Sequence, residues 1–258
     1  MWQTISQERE ESVGIIKLNK PETRNALDMV MREELKVVFQ EYEADQEIKV
    51  VVLTGEGKAF CAGGDLRTMD GAEPGKGYKR LHNVQLLVKR MRNLSKPIIA
   101  AVNGAAFGAG WSLALASDFV IASEKAKFCE AFVKVGLVPD LGSMYTLPRI
   151  VGIQKAKELM MLGEPIDANE AYSLGAVNKV VPHEQLWSTA MELAEKLAAG
   201  PPLALAYMKS ILHKSYEKDF EAILEYEAFA QDVCLLSADH QEARQAFFEK
   251  RKPNYIGK

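Results

Sequence analysis

A glycine-rich turn that opens directly into an apolar helix places the strongest constraint on how this chain folds. The turn and helix occupy residues 103–118 (NGAAFGAGWSLALASD), with glycines at positions 104, 108 and 110. A helix that begins near Ala109 leaves its first N–H groups without intrahelical partners, and its dipole favours negative charge there. Taken alone, however, such a turn more commonly serves the close packing of a helix against a strand.

A second segment, residues 130–143 (EAFVKVGLVPDLGS), carries a carboxylate in an apolar setting. A Pro-Asp pair is ordinarily a turn in which the aspartate bonds its own backbone. The apolar neighbours would instead raise the pKa of Asp140 and make it a better proton shuttle. We expect Glu130, the other acid nearby, at the surface. Together the two segments suffice for proton transfer on an activated carbonyl, but they lack the second carboxylate that water addition would need.

Strand and helix patterns alternate over the first two thirds of the chain. The predicted strands are residues 13–19, 49–54, 97–102 and 119–122, and the predicted helices are residues 26–45, 78–94 and 110–116. This order indicates an α/β domain built from repeated β-β-α units.

The last third of the chain has long helical patterns. They cover residues 184–198, 202–213, 220–235 and 240–251, and their apolar stripes must face either the core or a neighbouring subunit. We therefore divide the chain into an α/β core, residues 1–198, and a helical C-terminal region, residues 199–258.

Composition excludes several classes of function. The net charge of −3 gives no broad basic field for nucleic acid or for an anionic membrane, and no apolar run reaches the roughly 18 residues of a membrane span. The three cysteines show no CxxC spacing and favour a reducing, cytoplasmic location. The four histidines lie far apart, so we expect no metal site.

Other candidate residues have ordinary structural explanations. Residues 59–66 (AFCAGGDL) could present a free N–H near Ala62, while Asp65 is expected to cap the next helix. Trp111 could line a pocket, although buried aromatic residues belong to the core by default. The G-x-x-x-G-x-G spacing of residues 104–110 departs from the dinucleotide fingerprint, so a nicotinamide site is poorly supported.

Together these motifs resemble the crotonase superfamily, the enoyl-CoA hydratase/isomerase family, over nearly the whole chain. The matching segments, in family order, are residues 19–28, 59–66, 96–118, 135–152 and 246–255. The resemblance implies a crotonase-like spiral of β-β-α units, with C-terminal helices that build a homotrimer, often paired into a hexamer. It also implies an acyl-CoA thioester substrate from fatty acid or phenylacetate metabolism. No cofactor is implied, because coenzyme A is part of the substrate.

The resemblance also assigns roles to residues. In the family, two backbone N–H groups hold the thioester oxygen, and those positions fall on Ala62 and Ala109. Losing one such donor costs about 3 kcal/mol in other enzymes. The predicted substrate-binding residues are Arg24, Ala26, Leu27, Gly63, Asp65, Leu66, Gly108, Trp111, Phe132, Phe247 and Lys250. The last two are expected at the nucleotide, either of their own subunit or of a neighbouring one.

The departures from the family pattern favour one reaction type. Family hydratases carry two glutamates that activate water, and here those positions hold Ser112 and Phe132. Asp140 falls where certain family isomerases carry a catalytic aspartate, and the run FVKVGLVPD looks most like the ring-opening epoxyphenylacetyl-CoA isomerases. The leading hypothesis is therefore an acyl-CoA isomerase in which Asp140 transfers a proton through a thioester enolate.

Three alternatives stay open at the level of sequence. The chain could be a hydratase with an unusual acid or base, such as Glu130 or Asp140. It could be a catalytically silent CoA-binding subunit, because both family glutamates are missing. Asp140 could also attack as a nucleophile in dehalogenation or hydrolysis.

Overall fold

The structure, a computed structural model, describes residues 2–69 and 74–258. Ten strands and ten α-helices lie in this part of the chain. The strands are β1 Ile5–Glu10, β2 Val13–Leu18, β3 Val50–Gly55, β4 Ala59–Cys61, β5 Ile98–Val102, β6 Ala105–Phe107, β7 Phe119–Ser123, β8 Lys127–Cys129, β9 Ile166–Asp167 and β10 Lys179–Val181. The helices are α1 Met29–Ala44, α2 Lys76–Asn93, α3 Ala109–Leu115, α4 Ser143–Val151, α5 Ile153–Leu162, α6 Ala168–Ser173, α7 Leu186–Ala198, α8 Pro202–Lys214, α9 Phe220–Leu236 and α10 Ala238–Glu249.

The strands form two sheets, and each repeat contributes one strand to each of them. The larger sheet has the order β1-β2-β3-β5-β7-β10, and the smaller has the order β4-β6-β8-β9. Each of the pairs β3–β4, β5–β6 and β7–β8 sends its first strand to the larger sheet and its second to the smaller. Helices α1, α2 and α3 connect these turns of the chain. The predicted repeat of β-β-α units is therefore confirmed.

The larger sheet is buried on both faces, which explains its continuous apolar strands. All six residues of β3 and all five of β5 are buried. Val51 and Leu53 point into the main core with α1 and α2, while Val50 and Val52 pack under α7. The sheet is thus a rigid layer. The loops of the site belong to the connections between its strands.

Helix α1 begins later than the helical pattern predicts. The pattern starts at residue 26, but Asp28 is the N-cap, and its carboxylate accepts the N–H of Met31 at 2.8 Å. Leu27 pairs instead with Gly64 in an isolated parallel bridge. The first residues of the predicted helix are therefore extended chain that holds the loop after β4.

The last two helices, α9 and α10, leave large apolar side chains uncovered. Phe220, Phe229, Leu236, Phe247 and Phe248 are each more than 60% exposed. The predicted division of the chain falls between α7 and α8, and both it and the predicted assembly stay predictions. No helix among the described residues has the length and apolarity that a membrane crossing requires.

Candidate active site

A cavity of about 190 Å³ lies where the loop after β4, the start of α3 and the segment before α4 meet. Its walls are mostly apolar, with three charged side chains. The lining residues are Arg32, Ala62, Gly63, Gly64, Leu66, Met69, Arg80, Leu81, Gly108, Ala109, Ala131, Phe132, Val135, Leu137, Val138 and Asp140.

Glycines bring the two backbone segments of this cavity into contact. A Cβ on Gly110 would lie 2.2 Å from the carbonyl oxygen of Cys61, so only glycine lets α3 approach β4 this closely. Gly63 has φ +104°, and its Cβ would lie 2.9 Å from the Phe107 carbonyl oxygen and 3.8 Å from the Ala109 nitrogen. The loop after β4 therefore sits against the N-terminus of α3.

The N–H group of Ala62 is not free. It donates to the carbonyl of Arg24 at 2.9 Å, so the prediction of Ala62 as a donor to substrate is wrong. The parallel bridge explains this, because Leu27 donates to the Gly63 carbonyl at 2.8 Å and accepts from Asp65 at 3.1 Å. That pairing turns the N–H of Gly64 to the opposite side of the loop.

Two of the backbone donors without a protein acceptor in the described part of the chain come from the segments that the glycines bring together. They are the N–H groups of Gly64, in the loop, and of Ala109, the first residue of α3. The helix dipole adds positive potential at Ala109. Both donors can therefore hold an oxygen atom that gains negative charge.

Asp140 lines the cavity between the one-turn helix Ala131–Val135 and α4. Its Oδ1 is buried and has no hydrogen-bond partner among the described residues. Burial raises the pKa of the Asp140 carboxyl, against the opposing effect of the Arg32 and Arg80 guanidinium groups. The predicted direction of the shift is confirmed. A carboxyl with a raised pKa is better matched to proton exchange near neutral pH.

Glu130 lies in the interior, so the expectation of a surface position is wrong. It directly follows the buried strand β8 and is 0% exposed. Ser143 donates to its Oε2 at 3.4 Å, and Ser143 also donates its N–H to the Asp140 carbonyl at 3.2 Å. Burial raises the pKa of Glu130 to about 8, with a contribution from the Asp140 charge. The two carboxyl groups are therefore electrostatic neighbours.

The positions of the missing family glutamates hold groups that do not ionise. Ser112 is buried, and its hydroxyl donates to the Gly108 carbonyl at 3.2 Å. Phe132 lines the cavity, and a Cβ on Gly108 would contact its ring at 3.6 Å. Neither position offers an acid or a base.

Trp111 belongs to the core rather than to the cavity wall. Its ring is 1% exposed and packs against Phe128, with the ring centroids 5.6 Å apart. The prediction that Trp111 lines the substrate pocket is therefore wrong, because residue 111 lies on the side of α3 that faces the smaller sheet.

Two other predicted binding residues hold the loop rather than line the cavity. Asp65 caps the one-turn helix Leu66–Thr68 and pairs with Arg67, as its expected capping role implies. The Leu27 side chain is fully buried in the main core. The predicted nucleotide-side residues Arg24, Ala26, Phe247 and Lys250 do not line the cavity, and their contact with coenzyme A stays a prediction.

Two arginines of the cavity were missed at the level of sequence. Arg32 extends from α1, and Arg80 extends from α2. Arg32 is next to Met31 on the buried side of α1, and a charged residue on that side is the signal that could have revealed it. Across residues 2–69 and 74–258, no group of three or more His, Cys, Asp or Glu side chains could hold a metal ion.

Glu130→Gln is expected to remove a pH dependence of stability. Because folding raises the pKa of Glu130 from 4.5 to about 8, its contribution to the free energy of unfolding is complete below about pH 4.5 and is lost as pH rises through about 8. Urea unfolding from about pH 5 to about pH 9 should show the variant gaining stability relative to wild type, on the order of a few kcal/mol. The control is Glu164→Gln, which alters an exposed glutamate. If the difference in unfolding free energy between Glu130→Gln and wild type were the same at every pH, the raised pKa of Glu130 would be contradicted.

A model of the family described as enoyl-CoA hydratase/isomerase matches residues 8–258. The chain belongs to this family. Its members have the crotonase fold, and the predicted fold class is confirmed by close structural neighbours. The enoyl-CoA hydratase from Bacillus anthracis superposes with a TM-score of 0.95 at 35% identity, over 99% of this chain and 100% of that one.

The curated relatives of this family member are named as isomerases in some cases and as hydratases in others. The 1,2-epoxyphenylacetyl-CoA isomerase of Escherichia coli K12 is 38% identical over the whole of both chains. A probable enoyl-CoA hydratase of Rhodobacter capsulatus is 39% identical over 100% of this chain and 99% of its own. The family is thus shown, and the names of its members include both isomerases and hydratases.

Proposed function

We propose that this family member is an acyl-CoA isomerase that moves a proton through a thioester enolate. In this proposal the N–H groups of Gly64 and Ala109 hold the thioester oxygen, and Asp140 transfers the proton. The supporting observation is that Asp140 is the carboxyl group on the cavity wall, while Ser112 and Phe132 offer no second acid or base.

The chemistry follows from where negative charge develops. Removal of a proton next to the thioester carbonyl places charge on its oxygen, and two fixed backbone donors stabilise that charge more than they stabilise the substrate. Asp140, protonated by this step, returns the proton to a different carbon. One base can perform both transfers if it reaches both carbons. The result is a shifted double bond or an opened strained ring, with no water consumed.

A second candidate is hydration of an enoyl-CoA, and the position of Glu130 favours it. Glu130 is buried, has a pKa raised to about 8 by burial and interacts electrostatically with Asp140. Two neighbouring carboxyl groups with raised pKa values could divide the roles of acid and base. Glu130 does not line the cavity, however, so it would have to act on water through Ser143 or after a rearrangement.

The two candidates are separated by assaying one preparation with two substrates. We expect migration of the double bond of a 3-enoyl-CoA, followed by absorbance of the conjugated thioester, and little hydration of crotonyl-CoA. Glu130→Gln should leave the migration rate largely unchanged. Efficient hydration that Glu130→Gln abolishes would overturn the isomerase proposal in favour of the second candidate. A lack of turnover with either substrate and with a broad panel of other acyl-CoA thioesters would favour the silent CoA-binding subunit.

A further inference from the structure

Arg32 is a buried cation that the proton transfer does not use. Its side chain extends from α1 to the cavity wall, and the residue is only 4% exposed. Most of the surrounding wall is apolar, with Leu66, Met69 and Leu81 among its residues. Removing a charged group from water in this way is costly unless a partner with acceptor atoms compensates.

One edge of the Arg32 guanidinium has no such partner. Nη1 lies 3.9 Å from the sulfur of Met29, whereas Nε is buried without an acceptor in the part of the chain that the structure describes. Within that part, no carboxylate forms an ion pair with Arg32, although Asp140 is near enough to influence its pKa. Nη2 also makes no hydrogen bond there and lies beside the loop after β4.

Elsewhere in the same protein, this edge of an arginine holds two oxygens. Arg67 donates from Nε to Oδ1 of Asp65 at 2.9 Å and from Nη2 to Oδ2 at 2.8 Å. The Nε–Nη2 edge suits a pair of acceptor atoms in one plane, or a single oxygen between the two N–H groups. Arg32 lies on the cavity wall, and among the described residues the same edge of its guanidinium has no acceptor.

We propose that Arg32 binds an acceptor oxygen on the acyl group, so that the protein binds oxygen-substituted acyl-CoA thioesters in preference to plain hydrocarbon ones. This inference rests on the proposed function, because it takes the cavity as the acyl site. A carboxylate, a hydroxyl and a carbonyl oxygen all accept hydrogen bonds from a guanidinium, and they share this chemistry.

The position of Arg32 also places the substituent along the acyl chain. A Cβ on Gly64 would lie 3.3 Å from Nη2, so the guanidinium is adjacent to the residue whose N–H is proposed to hold the thioester oxygen. The oxygen that Arg32 binds therefore belongs to one of the first few carbons of the acyl chain, a range that includes C4 of a four-carbon ester. Asp140 lines the same cavity, and its buried Oδ1 also has no described partner, so a hydroxyl could bond to both side chains.

The test measures binding of three saturated four-carbon esters that contain no double bond to move. Titration calorimetry compares butyryl-CoA, 4-hydroxybutyryl-CoA and succinyl-CoA with wild type, with Arg32→Met and with Arg90→Met. Arg32→Met keeps a side chain of similar length without charge. Arg90 donates to Gln40 outside the cavity at 2.7 Å, so its variant controls for the loss of an arginine next to α1.

We expect at least one oxygenated ester to bind wild type and Arg90→Met about tenfold or more tightly than butyryl-CoA, as a hydrogen bond to a charged group allows. Arg32→Met should lose that preference while binding butyryl-CoA at least as well. Preference for succinyl-CoA alone identifies a carboxylate substituent, and preference for 4-hydroxybutyryl-CoA identifies a neutral oxygen. Equal binding of all three by wild type, or a preference that survives in Arg32→Met, would overturn the inference alone. Failure of every ester to bind would instead overturn the proposed function on which the inference rests.

Discussion

Asp140→Asn is expected to lower the turnover of a 3-enoyl-CoA by about 10²- to 10⁴-fold, the usual contribution of a positioned acid or base. Asparagine keeps the shape of the side chain but cannot take up a proton. Because the backbone donors and the apolar wall remain, the affinity for a CoA ester should change little. Single-turnover kinetics and ester titration on the same variant measure the two quantities separately.

The matched control is Asp167→Asn, which alters an exposed aspartate at the N-cap of α6, far along the chain from the cavity. Asparagine caps helices about as well as aspartate, so this variant should retain both its stability and its turnover. If Asp140→Asn turned over substrate at the wild-type rate, Asp140 would not be the proton-transfer group. Loss of ester binding together with turnover would show that Asp140 holds substrate instead.

Gly110→Ala is expected to reduce kcat by about 10²- to 10³-fold, comparable to the loss of one oxyanion donor. The added methyl group would lie 2.2 Å from the Cys61 carbonyl oxygen, and this backbone atom cannot swing away as a side chain can. Helix α3 and the loop after β4 must therefore separate. That separation moves the Ala109 N–H away from the Gly64 N–H, and the strain should also lower the free energy of unfolding by about 1–3 kcal/mol.

Gly77→Ala is the corresponding control, because no atom of the described residues lies within 4 Å of a Cβ at that position of α2. Alanine is favoured over glycine in a helix by about 1 kcal/mol, so this variant should be as stable as wild type or more stable. Thermal unfolding and steady-state kinetics of both variants distinguish the two cases. Wild-type kcat in Gly110→Ala would mean that the contact between α3 and β4 does not set the donor geometry.

Much of the fold follows from local patterns that the sequence displays. The buried strands β3 and β5 are continuous apolar runs, and α1 and α2 show a clear helical period, so their positions were predicted to within a few residues. The short strands β4, β6, β8 and β9 were not predicted. They have two or three residues each, and they exist because neighbouring turns of the repeat stack, which no local pattern encodes.

The candidate site was predicted in part for the same reason. Asp140 and Ala109 were identified through motifs, and both line the cavity. The free donor was assigned to Ala62 instead of Gly64, because the direction of an N–H group depends on the pairing of Leu27 with its loop. The burial of Glu130 likewise depends on chain segments that pack over it, and a charged residue beside an apolar run gives no sign of them.

The two N–H groups at Gly64 and Ala109 belong to the main chain, so only a change to proline can delete either of them. Codon changes at positions 112, 132 and 140 can therefore exchange acids, bases and neutral groups around a thioester. The two backbone donors that hold the thioester oxygen stay unchanged. A lineage built on this scaffold can acquire a new reaction without first passing through a form that fails to activate its substrate. The same property makes the protein a practical starting point for directed evolution of thioester chemistry.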